Sequence, residues 1–306
     1  MLDISLLGTG GMVPMPNRYL TSMLCRYNGR MLLVDCGEGT QISMKVLGWG
    51  YKNIDCICFT HFHADHIAGL PGLLLAISNS ERIEPLTIVG PPGLEHVVRS
   101  LLVIAPEINF EINIMELPVR EHSEIPVPLT EFYLSILPLD HGKPCFGYRI
   151  STKRGARFDL ERAKSLNLPV KLWGRLQRSE TVEYEGKAYT PDMVLGAERK
   201  GFTLSYVTDT RPIRRISDFV KNSDLFICEG LYGDPEKTEQ AREHKHMTYA
   251  DAATLARDGN VGALWLTHFS PAMINTKEFL PLARGIFPST WAAYDRITKT
   301  FKFEED

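Results

Sequence analysis

Thr60-His61-Phe62-His63-Ala64-Asp65-His66 decides the reading of this chain, because it follows directly on the largely apolar run Ile54 to Phe59. A short apolar run of that length reads as a buried strand. His61 and His63 are two apart, so in extended backbone their rings point the same way and can grip one cation. Asp65 and His66 fall where the chain turns into a helix, which swings them toward a second position. Imidazole nitrogen and carboxylate oxygen in this density suit Zn²⁺. Three further residues have the same setting, a polar donor just past an apolar strand: His141, Asp209 and His268. A single His141 or His268 would more often be a hydrogen-bonded histidine near a turn. Together, however, five histidines and two aspartates are enough for two metals sharing Asp209 as a bridge. Strand ends along one sheet edge are where α/β proteins gather site residues from distant sequence.

Around this cluster the chain is ordinary in composition: 306 residues, 44% hydrophobic and 23% charged, with 24 Gly and 19 Pro. That excludes collagen-like, low-complexity and disordered classes. The longest apolar stretch, Ile67 to Ile77, is too short to cross a bilayer and is broken by Gly69, Pro71 and Gly72. Cys25, Cys36, Cys56, Cys58, Cys145 and Cys228 are scattered through strand-like runs, as buried free thiols are. The opening Met1-Leu-Asp-Ile-Ser has neither a basic n-region nor a cleavage site, so the expected location is the cytoplasm.

Strand-like and helix-like segments alternate. Asn28-Gly29 between two apolar runs predicts a two-residue hairpin. Strands are expected near 4–8, 22–27, 31–35, 54–59, 86–89, 134–137, 147–150, 202–207, 225–228 and 263–266. Helices are expected at 38–47, 65–79, from 92, and at 213–221, 248–257 and 276–286. The pattern implies mixed sheets covered by helices. Residues 151–200 break the rhythm and read as an insertion. The formal net charge of −3 hides a local excess there. Lys153, Arg154, Arg157, Arg162, Lys164, Lys171, Arg175 and Arg178 outnumber Asp159 and Glu161, giving a net +6 on an otherwise −9 chain. Such a stretch is either a phosphate clamp or a solvated loop. Phe158 and Trp173 within it could fold the insertion or stack on a base.

His61-x-His63-x-Asp65-His66 followed by His141, Asp209 and His268 resembles the metallo-β-lactamase superfamily. The resemblance implies an α/β fold, an αβ/βα sandwich of two mixed sheets with outer helices, over residues 1–306. Leu6-Leu-Gly-Thr-Gly-Gly-Met-Val-Pro14, Val34-Asp-Cys-Gly-Glu-Gly-Thr-Gln41, Gly90-Pro-Pro-Gly93, Tyr206-Val-Thr-Asp-Thr-Arg211, Cys228-Glu-Gly230, His246-Met-Thr-Tyr-Ala-Asp-Ala-Ala253 and Leu266-Thr-His-Phe-Ser-Pro271 narrow it. Together they resemble the tRNase Z (ribonuclease Z) family. That implies endonucleolytic removal of the 3′ trailer of precursor tRNA after the discriminator base, in a homodimer. It also implies two Zn²⁺ per subunit, with Mn²⁺ as the other candidate. His61, His63 and His141 would hold one metal, Asp65, His66 and His268 the other, and Asp209 would bridge. Asp65 would be the general base. His246 would donate a proton to the leaving oxygen or stabilise the transition state. Glu229 would either orient His246 or cap a loop. The basic insertion at about 151–200 would be a projecting tRNA-binding arm, with Lys153, Arg154, Arg157, Lys171, Arg175 and Arg178 as its RNA contacts.

The chain departs from the family pattern at Leu168-Pro-Val-Lys-Leu-Trp-Gly174, where a Gly-Pro pair is usual, at Cys228 in place of a histidine, and after Arg18. None of these is a metal donor. The competing enzymatic reading is a small-molecule phosphodiesterase or arylsulfatase of the same superfamily. A non-catalytic nucleic-acid-binding protein is the third, opposed by the full set of seven donors.

Overall fold

Apolar runs separated by turns build two mixed sheets, each of seven strands. The computed structural model describes residues 1–178 and 180–303, with residues 122–124 described as backbone only. The first half holds β1 (Leu2–Gly8), β2 (Ser22–Tyr27), β3 (Arg30–Val34), α1 (Thr40–Leu47), β4 (Ile54–Cys58), α2 (Ala64–Ile67), α3 (Leu70–Ser78), β5 (Leu86–Gly90), α4 (Leu94–Leu102) and β6 (Ile112–Glu116). Next come β7 (His122–Pro126), β8 (Phe132–Pro138), β9 (Phe146–Thr152), α5 (Leu160–Ser165), α6 (Val170–Gln177), β10 (Val182–Tyr184) and β11 (Lys187–Tyr189). The last part holds β12 (Thr203–Val207), α7 (Arg215–Phe219), β13 (Leu225–Glu229), α8 (Thr238–Glu243), α9 (Tyr249–Asp258), β14 (Leu264–Thr267), α10 (Leu280–Ile286), β15 (Thr290–Ala292) and β16 (Thr298–Phe301). Among these residues no helix is long and apolar enough to cross a membrane.

The first sheet runs β16-β1-β2-β3-β4-β5-β6 and the second β15-β14-β13-β12-β9-β8-β7. Asn28 and Gly29 both have positive φ, +48° and +79°, and close the β2–β3 hairpin as a two-residue turn requires. On β4 the side chains alternate as a strand dictates. Ile57 joins the cluster formed with Leu70, Leu73, Leu74 and Leu94 of the helices, while Cys56 and Cys58 face the other way. That inner face meets the second sheet: Tyr148 Oη donates to Phe59 O (2.7 Å), and Tyr27 packs on Phe132. The second sheet's outer face is covered by α9 and α10 through Tyr249, Ala252, Ala256 and Ala283. The arrangement is helix, sheet, sheet, helix, the αβ/βα sandwich expected.

The helix expected over 65–79 is divided into α2 and α3 at Gly69. Cys36 N donates to His66 O (2.7 Å) and Gly69 N to Cys36 O (2.9 Å), so the backbones of the two segments touch. A Cβ at Gly69 would stand 2.2 Å from Gly37 O. The close approach, invisible in a periodicity, fixes where Asp65 and His66 point.

Met1–Ser151 with Thr203–Asp306 form one compact unit, and Thr152–Phe202 a second. Within the second unit, Ala163, Leu168, Leu176, Val182 and Val194 make a small buried core. Asp159 caps α5 by accepting from Arg162 N (3.0 Å). Glu185 and Gly186, both at positive φ, turn β10 into β11. Phe158 and Trp173 lie 5.6 Å apart against this core, and Trp173 Nε1 donates to Leu168 O (3.0 Å). Of the two roles open to them in the sequence, these rings fold the unit.

Candidate metal centre

Every expected donor sits just beyond a strand of the body: His61, His63, Asp65 and His66 after β4, His141 after β8, Asp209 after β12 and His268 after β14. Asp209 (φ +56°) and His268 (φ +55°) adopt the left-handed conformation at the sharp turns that leave their strands. Non-glycine residues in that conformation are uncommon, and at a site they mark backbone held in place by its surroundings.

The donors fall into two sets. In the first, His61 Nε2 approaches His63 Nδ1 at 3.0 Å, and His141 Nε2 approaches the same Nδ1 at 3.2 Å. In the second, His66 Nε2 and His268 Nε2 are 3.2 Å apart, with Asp65 Oδ2 at 3.6 Å and 3.4 Å from them. Asp209 spans both: Oδ2 lies 3.2 Å from His66 Nε2 and 3.3 Å from His268 Nε2, and Oδ1 lies 4.0 Å from His141 Nε2. Asp209 Oδ2 is buried without a hydrogen-bond partner among the described residues. Imidazole lone pairs facing one another around such a carboxylate repel unless a cation lies among them, and leaving a buried polar atom unpaired costs about 1–3 kcal/mol. The donor set fits divalent cations.

Electrostatics agree. Burial holds His61 well below the ordinary imidazole range, aided by the charge of His66, and burial likewise lowers His141. His63 is lowered by burial and then by the nearby Lys143 charge. These three therefore present neutral nitrogens, the ligating form. Burial opposes charge on Asp209, yet His268 and His66 outweigh it and hold the carboxyl well below the usual range. Burial pushes His66 down, but Asp209 and Asp35 overcome this and raise it well above normal, so the surroundings favour positive charge at that point.

Three supports were not legible as such in the sequence. Asp35, fully buried at the end of β3, accepts from His66 Nδ1 (2.8 Å) and from Thr60 N (2.8 Å). This places the His66 proton on Nδ1 and directs Nε2 at the other donors. A carboxylate ending the apolar run 31–34 was its signal. Met12 N donates to Asp65 Oδ2 (2.7 Å), and a Cβ at Gly11 would stand 2.5 Å from the His268 ring. The Gly-rich opening stretch is thus laid directly against the donors.

Asp35→Asn keeps the volume but turns an acceptor into a donor toward His66, moving the imidazole proton onto Nε2. Zinc affinity is expected to fall about 10–100-fold, measured by competition with a chromophoric chelator. Unchanged affinity would remove Asp35 from the site.

His246 stands beside both sets, its ring 5.4 Å from that of His141 and 5.9 Å from that of His268. Its Nδ1 lies 2.9 Å from Glu229 Oε2, while Glu229 Oε1 accepts from Thr210 N (2.7 Å). Glu229 is fully buried and ties the turn carrying Asp209 to His246. Burial alone would lower the His246 imidazole, but the Glu229 charge and hydrogen bond, helped by Asp209 and Asp65, raise it to about 9. His244, by contrast, bonds Tyr232 Oη (2.8 Å). In the second unit, Arg175 and Arg178 both pair with Glu180, at 2.8 and 3.3 Å, while Arg157 and Lys171 have no ion pair among the described residues.

Two face-to-face sheets with outer helices, carrying seven His and Asp donors at strand ends, define a metal-dependent hydrolase of the metallo-β-lactamase fold. Solved structures share this fold. Human tRNase Z, short form, superposes with a TM-score of 0.70 at 24% identity, covering 98% of this chain and 100% of that one. The metallo-β-lactamase fold protein YhfI from Bacillus subtilis superposes with a TM-score of 0.68 at 19% identity, covering 97% and 98%. A family model described as anti-Pycsar protein Apyc1 matches residues 2–102. Ribonuclease Z of Lachnospira eligens is 51% identical, and that of Clostridium kluyveri 50%, each alignment covering 100% of both chains. The chain belongs to the ribonuclease Z family.

Proposed function

We propose that this protein hydrolyses precursor tRNA immediately 3′ of the discriminator base, leaving a 3′-hydroxyl on the tRNA and a 5′-phosphate on the trailer, with two Zn²⁺ per subunit in a homodimer. The observation that carries this is the pair of donor sets sharing Asp209, with the His246 imidazole held beside them by Glu229. His61, His63 and His141 would hold one cation and Asp65, His66 and His268 the other. Divalent cations there supply charge that neutralises phosphoryl oxygens and acidifies water. Asp65, held by the Met12 N–H and kept below the ordinary carboxylate range despite its burial by His268 and His66, stays ionised. It accepts the proton of the attacking water as the new P–O bond forms. His246 donates its Nε2 proton to the leaving 3′ oxygen as the old P–O bond breaks, and Glu229 holds the ring for that transfer.

The test is cleavage of a 3′-extended precursor tRNA, labelled at its 5′ end, by the zinc-loaded protein. A single product ending at the discriminator base is expected. No cleavage alongside good turnover of bis(p-nitrophenyl) phosphate would move the assignment to a small-molecule phosphodiesterase.

The unit Thr152–Phe202 serves in this proposal as the tRNA-binding arm, its basic excess supplying sequence-independent affinity for phosphates. Ser151 and Thr203 pair in the β9–β12 ladder, so a short turn can close the chain once residues 152–198 are removed. That deletion is expected to raise KM for precursor tRNA on the order of 10²-fold, with a far smaller change for bis(p-nitrophenyl) phosphate. Equal losses on both substrates would make the unit structural.

A further inference from the structure

Charged side chains gather at the lip of the site, on the loops that carry His141 and His246 and on the turn after Asp209. Asp140 precedes His141, Lys245 precedes His246, and Arg211 lies two beyond Asp209. Lys245 Nζ is 3.1 Å from Asp140 Oδ1, and Arg211 Nη1 is 3.3 Å from Asp140 Oδ2. Asp140 is itself fixed, its N–H donating to Thr210 Oγ1 (3.0 Å), and Arg211 Nε donates to Arg242 O (2.7 Å). Lys143, exposed on the same loop as His141, adds a third cation. One carboxylate cannot neutralise three cations, so the lip keeps a positive excess on a body that is otherwise acidic. All four groups are still reached by solvent, and the His141 and His246 rings they flank are 5.4 Å apart. Lys245 adopts φ +62°, and its side chain lies against Gly142, where a Cβ would stand 3.1 Å from Nζ. An uncommon backbone conformation and a glycine thus hold this ammonium in one place, a larger constraint than an ordinary surface ion pair carries.

We propose that Lys245, with Arg211 and Lys143 as supporting charge, binds the phosphate one nucleotide 5′ of the scissile bond. The inference rests on the precursor-tRNA reaction above. His246 acts on the leaving 3′ oxygen, which belongs to the nucleotide on the 5′ side, and Lys245 is its chain neighbour. Asp140 orients the ammonium and the guanidinium in advance, so little side-chain freedom is lost when the phosphate arrives. Sequence-independent contacts through the arm do not by themselves set which bond meets Asp65 and His246. A fixed cation one phosphate from the reaction does.

The experiment compares precursor tRNAs carrying a single uncharged methylphosphonate, either at the linkage 5′ of the discriminator nucleotide or at the linkage 3′ of the first trailer nucleotide. With wild-type protein the upstream replacement is expected to lower kcat/KM about tenfold, the size of a lost charge-assisted contact. Lys245→Gln, an unbranched polar side chain one atom shorter that lacks the charge, is expected to lose the same factor on unmodified RNA and nothing more on the upstream methylphosphonate. Its salt dependence of log kcat/KM is expected to flatten by about 0.7–0.9 in slope. Lys245→Arg restores most of the loss. If the two losses multiply, or coupling occurs at the downstream linkage instead, the assignment of Lys245 is overturned. Failure of the wild-type protein to cleave the unmodified precursor overturns the substrate assignment itself, and this one with it.

Discussion

His246→Ala is expected to retain the wild-type metal content and to lose on the order of 10²–10⁴-fold in kcat, the range a general acid supplies. The two halves of that result come from different contacts. The two donor sets close around His61, His63, His141 and around Asp65, His66, His268 without His246, whose Nδ1 is taken by Glu229 at 2.9 Å. Metal analysis by mass spectrometry and single-turnover cleavage measure the two quantities on one preparation. Wild-type-like cleavage removes His246 from catalysis, and a loss of metal makes it a ligand instead. The pH dependence separates proton donation from simple packing. Only the protonated imidazole can donate, so activity is lost as pH rises through its pKa, which Glu229 raises. Glu229→Gln keeps the shape but removes the charge, and the alkaline limb of kcat is expected to move to lower pH. A limb that stays where it was assigns Glu229 to capping Thr210 alone.

Asp209→Ala is the complementary case, with metal content and turnover expected to fall together. Among the described residues Asp209 is the one carboxylate within 4.0 Å of donors from both sets, and it lies in a turn whose backbone is already in the left-handed region. Removing it leaves the two sets without a shared carboxylate, with Asp65 alone beside His66 and His268 and, among the described residues, no carboxylate reaching the first set. Metal content is expected to drop below two per subunit, and turnover of precursor tRNA and of bis(p-nitrophenyl) phosphate to fall by about 10³-fold or more, since the neutralising charge is worth several kcal/mol. Full occupancy with unchanged turnover contradicts the bridging role. The pair of variants is diagnostic: one separates turnover from metal content, the other joins them.

The sequence by itself determined the inner strands, the His and Asp residues that come together, and the family. A run such as Ile54 to Phe59 has neighbours on both sides and must be apolar, so it is visible without its partners. The histidines and aspartates stand just past such runs, which is why the seven residues that the fold gathers could be picked out from the chain. Hidden from it were β6, β7, β15 and β16, the four outermost strands of the two sheets. An edge strand has one neighbour and an exposed side, and Thr298–Phe301 or Ile112–Glu116 alternate too weakly to be recognised alone. The break between α2 and α3 at Gly69 is a contact with Gly37, and the Asp35–His66 bond joins residues 31 apart. The small core of Thr152–Phe202 closes only when two short helices and a hairpin meet. The lip of Asp140, Arg211 and Lys245 brings three loops to one point. Residue type and local period announce what a segment must bury or can bind. Which of those groups share an atom's neighbourhood is set by pairing between distant strands, and that is decided only when the sheets close.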